Sequence, residues 1–324
     1  MPAPQFAEMF PGEIAANRLP AAGERTVIRL GYACINTSLP SPNRTCRLAN
    51  ATPERVVDLG RQNLLTLAEI LRWNQAYGIA VFRLTSDLIP LASHPVVRGI
   101  AWEQELSAEL TQVGALIRAS GARVTMHPGQ YTVLNSPRPE VVEASLAEME
   151  YHARLLDVLG AGPSAKIILH LGGVYGDKPA SMARFAHNFT LLSPSAQARL
   201  VLENDEKNYT AAEALALSAE TGAAVVFDVF HHRYNPSLAD LSLRALIERC
   251  AATWRASEGP PKLHYSDQWP GKPPGSHSQT VDPAAFGRFY ETLHGLQVDV
   301  MLEVKDKEQS VLALYQLYPE LRVI

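Results

Sequence analysis

The sequence predicts an α/β fold, a single (β/α)8 TIM barrel. Three observations support this fold: eight short β-rich runs, longer amphipathic stretches between them, and nearly continuous apolar character within each run. Short strands that are apolar on both faces are typical of parallel strands joined by right-handed helical crossovers. An open, doubly wound sheet is the structural alternative, but its phosphate-binding pattern GxGxxG is absent after the first strand.

The predicted strands follow one another along the whole chain. They are VIRLGYACI near position 27, IAVFRLTS near 79, RVTMHP near 123, KIILHLGG near 166, RLVLEND near 199, AVVFDVFHH near 224, PKLHYSD near 261 and VDVMLEVKDK near 298. The first crossover is PERVVDLGRQNLLTLAEILRWNQAYG, in which Pro53 suits a first helical turn and Gly78 suits a C-terminal cap. This stretch is therefore predicted to be one long helix.

The chain is expected to form an N-terminal arm, residues 1–25, and one barrel domain, residues 26–324. The arm is rich in Pro and Ala, and no internal linker or repeat follows it. No apolar run approaches the roughly 20 residues that span a bilayer, so we expect no membrane contact and a cytoplasmic location. Cys34, Cys46 and Cys250 match neither a disulfide framework nor a zinc knuckle, which indicates reduced thiols.

The overall charge is slightly acidic. The chain has 29 basic and 33 acidic residues, which gives a formal net charge of −4. Such a charge provides no global attraction for nucleic acid. Any DNA binding therefore requires a locally basic surface.

Polar side chains recur where the predicted strands end. In this fold chemistry takes place at the C-terminal ends of the strands. The strand ends carry His127, His170, Glu203, Asp228, His231, His264, Asp267 and Glu303, and His94 and His277 lie in the loops after strands two and seven. One such histidine is usually a core residue, and one such acid usually caps a helix. Their recurrence at six successive strands predicts a metal site.

The ligand types indicate which metals and which chemistry to expect. Imidazole and carboxylate without thiolate suit zinc or manganese. About eight ligands are available, and one ion that takes about four to six of them would leave several buried groups unpaired, so more than one ion is expected. Clustered divalent ions suit phosphodiester hydrolysis. Sugar isomerisation on the same barrel is the competing use, and a binding-only barrel with structural metals is a further alternative.

The strings TMHPGQYTVLNSP, ILHLGGVYGDK, LVLENDEK, VFDVFHHR and KLHYSD, in this order, resemble the UV damage endonuclease family. The resemblance runs from about Gly31 to Lys305. That family has a xylose-isomerase-like barrel and is related to AP endonucleases of the endonuclease IV type. The resemblance implies an ATP-independent, monomeric endonuclease without a nucleotide cofactor. Its expected substrate is UV-damaged double-stranded DNA, nicked immediately 5′ to cyclobutane pyrimidine dimers, 6-4 photoproducts and other distortions, with 3′-hydroxyl and 5′-phosphate products.

The resemblance also implies a trinuclear site, usually filled by Mn²⁺, with Zn²⁺, Mg²⁺ or Co²⁺ as alternatives. One ion would be bound by His127, His170 and Glu203, a second by Glu203, Asp228, His264 and Glu303, and a third by His231 and His277. Glu203 is the expected bridge because a carboxylate has two oxygens. The expected catalytic residues are Glu203, Lys262, His94 and His231, with His94 near the scissile phosphate.

DNA contacts are expected around the same mouth. The resemblance indicates Gln130 and Tyr131 as a wedge that offsets the cost of unstacking bases, although a β-turn with a surface aromatic is the simpler interpretation. Tyr32 and Asn36 are expected to line a lesion pocket. Phosphate contacts are expected from Arg44, Arg47, Lys207, Arg233, Lys272 and Lys307.

Lys262 is an unusual residue for a metal site. It lies two positions before His264 on one strand, so both side chains share a face. The stretch that supplies an Asp-x-His pair in related AP endonucleases is Gly275, Ser276 and His277 here, which lacks a carboxylate. A neutral Lys262 that takes up carbon dioxide to form a carbamate ligand would supply the missing oxygens. The alternative is a neutral or outward-turned lysine that contacts a DNA phosphate.

Overall fold

Eight parallel strands form a closed barrel in the order of the chain. The computed structural model describes residues 26–97 and 99–323, so the predicted arm, residues 1–25, lies outside the described residues. The strands are β1 (Val27–Ala33), β2 (Val81–Arg83), β3 (Arg123–Met126), β4 (Lys166–His170), β5 (Leu200–Glu203), β6 (Val225–Asp228), β7 (Lys262–Tyr265) and β8 (Gln297–Leu302). The predicted fold class is confirmed.

Helices connect the strands and surround the barrel. They are α1 (Pro53–Tyr77), α2 (Trp102–Glu105), α3 (Ser107–Ser120), α4 (Pro139–Val158), α5 (Lys178–Phe189), α6 (Pro194–Arg199), α7 (Ala211–Thr221), α8 (Val229–Tyr234), α9 (Leu243–Ala251), α10 (Pro283–Thr292) and α11 (Glu308–Leu317). Short 3-10 turns occur at Leu48–Asn50, Ser86–Leu88, Pro95–Val97, Ala256–Glu258 and Pro319–Leu321. None of the helices in the described part of the chain is long and apolar enough to cross a bilayer.

The first long helix begins and ends where the sequence predicts. The Thr52 side chain caps α1 by accepting a hydrogen bond from Arg55 N, and Pro53 occupies the first helical turn. Gly78 ends the helix with a φ of 74°. A Cβ at Gly78 would lie 2.4 Å from the carbonyl oxygen of Val323, so both the left-handed backbone and the close packing require glycine.

The strand register decides which side chains point into the barrel. β1 pairs with β8 to close the barrel, and the paired residues extend from Val27 opposite Gln297 to Tyr32 opposite Leu302. The large apolar core lies between the outer faces of the strands and the helices, whereas Ile168, Val201 and Val226 belong to a small separate cluster inside the barrel. Because alternate residues of a strand face opposite sides, the strand-end histidines and acids share the interior face with this cluster.

Candidate metal centre

The upper layer of the barrel interior is polar. Parallel pairing places His170 beside Glu203 and Asp228 beside His264. His127 and Glu303 directly follow β3 and β8, at the same mouth. The residues that the sequence predicts as ligands on strands three to eight therefore converge, because all eight strands run in the same direction.

Glu203 lies at the centre of this layer. Its Oε2 is 2.9 Å from His127 Nε2 and 3.4 Å from His170 Nε2, and its Oε1 contacts His264 Nδ1. Burial alone would raise the pKa of the Glu203 carboxyl, but His264, His170 and His127 outweigh burial and hold the pKa well below its usual range. Glu203 is therefore an anion with ligand groups on both of its oxygens.

Two compact ligand groups share this carboxylate. His127, His170 and Glu203 form one, and Glu203, Asp228 and His264 form the other; within each group the ligand atoms lie within 4.8 Å of one another. Burial lowers the pKa of His127 and of His264, which favours the neutral imidazoles that metals require. The geometry matches two adjacent cation sites bridged by Glu203.

An unpartnered buried atom shows that these residues fit a cation. Asp228 Oδ2 is buried and has no hydrogen-bond partner among the described residues. Burial, together with the nearby carboxylates of Glu203 and Glu303, raises the pKa of Asp228 to about 6. A buried oxygen that no protein group satisfies is costly, and a divalent ion beside it would remove that cost. The donor set of imidazole nitrogens and carboxylate oxygens suits such an ion.

The remaining predicted ligands lie beside these two groups. The ring centroid of His231, on α8, is 5.6 Å from those of both His170 and His277. Burial would lower the pKa of His231, but Asp228, Glu203 and Glu303 raise it to about 9. His277 Nδ1 lies 3.9 Å from Glu303 Oε2. In the described chain His231, His277 and Glu303 do not form a third compact group.

Arg83, at the end of β2, is a residue that sequence reasoning missed. Its Nη2 contacts Glu303 Oε1 and lies 3.0 Å from His264 Nε2. The side chain is buried, so a permanent cation adjoins two of the predicted ligands. Arg83 lies in the segment FRLTS at the end of the second predicted strand, but arginine is not a metal-ligating residue type, so the predicted ligand set did not include it.

Lys262 points into the barrel one layer below the predicted ligands. Its Nζ is fully buried and donates a hydrogen bond to Thr125 Oγ1 over 2.6 Å. Burial, reinforced by Arg83 and Arg123, lowers the pKa of Lys262 well below its usual value. The environment therefore favours an uncharged amine.

Gln130 and Tyr131 occupy the tip of a turn at the mouth. Thr132 N donates to Gly129 O over 2.9 Å, so the two residues are the central positions of a β-turn. Both are exposed, and Tyr131 retains 66% of its accessible surface. A β-turn and a DNA wedge are therefore compatible descriptions of the same segment.

Tyr32, Asn36 and His94 are the other residues that the sequence predicts to contact DNA. Tyr32 and Asn36 are buried: Asn36 Nδ2 donates to Tyr32 Oη over 2.9 Å, and Tyr32 Oη donates to Asn74 of α1 over 2.6 Å. Neither exposes a surface that supports a lesion contact, and that role stays a prediction. His94 lies in the loop after β2, where its Nδ1 accepts a hydrogen bond from Val96 N.

The predicted phosphate contacts differ in how free their charges are. Lys207 is well exposed and 3.5 Å from Glu206. Arg44 donates to Ser41 O and Thr66 Oγ1, and Lys272 lies over the ring of Trp269. Arg47 is exposed. The Arg233 guanidinium lies 3.8 Å from the Asp267 carboxylate. The backbone of Lys307 is in the left-handed region, with a φ of 54°. Arg47, Lys207, Arg233 and Lys272 are therefore exposed, whereas Arg44 and Lys307 are half-buried.

Comparison with known proteins identifies the family. A profile described as UV-endonuclease UvdE matches residues 28–324. The UV DNA damage endonuclease of Clostridium perfringens (strain 13 / Type A) is 39% identical over 289 residues, covering 88% of this chain and 69% of that protein. The UV-damage endonuclease of Schizosaccharomyces pombe is 35% identical over 316 residues, covering 90% of this chain and 50% of that protein.

Solved structures agree with the sequence relatives. The crystal structure of SacUVDE superposes with a TM-score of 0.85 at 40% identity and covers 92% of this chain and 100% of that chain. Endonuclease IV from Thermus thermophilus has a TM-score of 0.58 at 18% identity, covering 90% of this chain and 98% of that chain, and shows the shared fold alone. From the profile, the sequence relatives and the superposition together, the chain belongs to the UV-endonuclease UvdE family.

Proposed function

We propose that the protein is a metal-dependent DNA repair endonuclease that nicks the backbone immediately 5′ to cyclobutane pyrimidine dimers and 6-4 photoproducts. The products are a 3′-hydroxyl and a 5′-phosphate, and other lesions are accepted. The observation that carries the proposal is the Glu203 cluster, which lies at the same mouth as the exposed turn of Gln130 and Tyr131. A ligand cluster beside an exposed aromatic fits the cleavage of a distorted duplex better than the conversion of a small sugar, which needs a compact pocket.

The metal centre is assigned to this chain's own side chains. His127, His170 and Glu203 would hold one ion, Glu203, Asp228, His264 and Glu303 would hold a second, and His231 and His277 would hold a third; Mn²⁺ is the proposed ion, with Zn²⁺, Mg²⁺ and Co²⁺ as alternatives. Divalent ions bound there would activate water and neutralise charge on the phosphate oxygens. Glu203 orients three histidines through its two oxygens, and His94 is the residue we expect near the scissile phosphate.

Nicking of supercoiled plasmid tests this proposal. UV-irradiated plasmid should be converted to the open-circular form in the presence of Mn²⁺, whereas unirradiated plasmid and reactions with EDTA should show only background conversion. Mapping the nick on a duplex with one defined photoproduct should place it directly 5′ to the lesion. Mn²⁺-dependent interconversion of free sugars or sugar phosphates, with no nicking of irradiated plasmid, would support the isomerase alternative.

Changing both Gln130 and Tyr131 to alanine should weaken binding to a photoproduct duplex. We expect a loss of about 2 kcal/mol, or ~30-fold in affinity, because the duplex loses one stacking ring and one amide that compensates for an unpaired base edge. Fluorescence anisotropy with a labelled lesion duplex measures this change. Hydrolysis of bis(p-nitrophenyl) phosphate should be unaffected. Equal losses on both substrates would mean that the turn supports the metal site instead.

Lys262 is proposed to carry a carbamate. Its neutral amine nitrogen bonds to the carbon of carbon dioxide and releases one proton, which leaves a single negative charge on the new group. Two cations favour an anion at this position, because Arg83 and Arg123 both act electrostatically on Lys262. The new carboxylate would supply the oxygen ligand that the stretch Gly275 to His277 lacks.

Intact-mass measurement under native conditions at neutral pH tests the carbamate. The wild-type mass should include one added carbon dioxide, and Lys262→Ala should lack it. Lys166→Met is the matched control because Lys166 is a second fully buried lysine inside the barrel, paired with Glu258; this variant should keep the added mass. An unmodified wild-type mass combined with full activity of Lys262→Ala would contradict the proposal.

A further inference from the structure

Two exposed tyrosines on neighbouring loops are presented in the same way. Tyr131 follows β3 and Tyr175 follows β4, and they keep 66% and 47% of their accessible surface. Each lies two residues after a glycine. A Cβ at Gly129 would be 2.4 Å from Tyr131 Cε1, and a Cβ at Gly173 would be 2.8 Å from Tyr175 Cζ. Each ring therefore lies across the bare backbone of a glycine.

The backbone at Tyr175 is unfavourable for its residue type. Tyr175 has a φ of 53°, in the left-handed region that side chains with a Cβ disfavour, whereas the neighbouring Gly172 and Gly176 have φ values of 99° and 78°. Glycine at position 175 would be unstrained. The tyrosine keeps a strained backbone conformation that glycine would adopt freely, which points to a function for its ring.

The loop that carries Tyr175 is held rigidly against the loop that carries Tyr131. Asn135 is buried and bonds Gly173 twice: Asn135 Nδ2 donates to Gly173 O over 2.7 Å, and Gly173 N donates to Asn135 Oδ1 over 3.2 Å. Tyr209 Oη also donates to Gly173 O, over 3.0 Å. The two aromatic rings therefore belong to one preorganised surface.

A cation accompanies the second ring. Arg184 Nε donates to Asn135 O over 3.0 Å, and the Arg184 guanidinium carbon lies 5.8 Å from the centroid of the Tyr175 ring. An exposed ring beside an arginine, on a rigid base, is the combination that stacks on nucleotides while a cation faces the phosphates.

We propose that Tyr175 is a second DNA contact, an aromatic platform that packs against a base or a deoxyribose of the duplex bound at the metal centre. It acts beside the turn of Gln130 and Tyr131 and is presented by the loop that follows His170. This inference rests on the proposed function, because it takes damaged duplex DNA as the ligand. Tyr175 contacts substrate without touching the predicted metal ligands.

Replacing Tyr175 with glycine separates this role from a structural one. Tyr175→Gly should reduce kcat/KM for incision of a photoproduct duplex about tenfold, because a stacking contact is lost. Its melting temperature should stay at or above the wild-type value, because glycine relieves the left-handed backbone. Mn²⁺ affinity measured by calorimetry and hydrolysis of bis(p-nitrophenyl) phosphate should be unchanged.

Two further variants complete the test. Tyr175→Phe keeps the ring and should retain incision within about threefold. Tyr77 is an exposed tyrosine at the end of α1, and α1 ends at the opposite end of the barrel from the metal centre. Tyr77→Ala should therefore retain wild-type incision. A wild-type protein that fails to incise the lesion duplex would contradict the proposed function. A wild-type protein that incises it while Tyr175→Gly is equally active, or while Tyr175→Gly loses small-diester hydrolysis by the same factor, would overturn the role of Tyr175.

Discussion

Replacing Glu203 with glutamine is expected to reduce incision of UV-irradiated plasmid by about 1,000-fold, which corresponds to ~4 kcal/mol of lost transition-state stabilisation. Glutamine preserves the shape of the side chain and keeps one oxygen as a hydrogen-bond acceptor for the surrounding histidines. It removes the negative charge and one of the two oxygens that the two compact ligand groups share. Initial rates at limiting Mn²⁺ measure the effect.

A second readout and a control separate lost chemistry from lost structure. The Mn²⁺ stoichiometry of Glu203→Gln, measured by calorimetry, should fall, while its melting temperature in EDTA should remain close to that of the wild type. Glu258→Gln is the matched control, because Glu258 is a buried glutamate paired with Lys166 at the other end of the barrel. Wild-type incision by Glu203→Gln at limiting Mn²⁺ would show that the centre is assigned wrongly.

The barrel and the convergence of its strand-end residues are readable from sequence because both depend on local patterns. Apolar runs predict the strands, and parallel strands in a closed barrel bring their C-terminal ends to one mouth. His170 beside Glu203, and Asp228 beside His264, follow from that rule and from the alternation of side chains. Residues at the ends of successive strands therefore could be grouped before any contact was known.

The partners that Arg83 and Lys262 contact could not be found in this way, although alternation along β7 does place Lys262 on the face of His264. Arg83 reaches His264 and Glu303, which are 181 and 220 positions away in sequence. Lys262 bonds Thr125, which lies 137 positions away. Tyr32 differs from the predicted ligands: it also lies at the end of its strand, β1, but side-chain alternation turns it outward into the core against α1. Strand register, which sequence alone does not give, decides the partners of Arg83 and Lys262.

The barrel interior also contains charges that sequence patterns gave no reason to group. At the end opposite the metal centre Asp299 is fully buried and accepts two hydrogen bonds from Arg29, of 2.7 and 2.8 Å, and one of 2.7 Å from Arg123. Arg123 also donates to the carbonyl oxygens of Ser164 and Glu258. Two cations thus depend on a single buried carboxylate, which neutralises both in a region of low dielectric.

Asp299→Ala should therefore lower the free energy of unfolding by about 4 kcal/mol, because it leaves two arginines inside the barrel without their shared anion. Total stabilities are typically about 5–15 kcal/mol, so this loss is a large fraction of the free energy of unfolding. Urea denaturation followed by circular dichroism in EDTA measures it. Asp58→Ala is the control, because Asp58 and Arg55 form an exposed pair 3.7 Å apart whose loss should cost less than about 1 kcal/mol. If the two variants proved equally stable, the Asp299 network would contribute nothing beyond a surface ion pair.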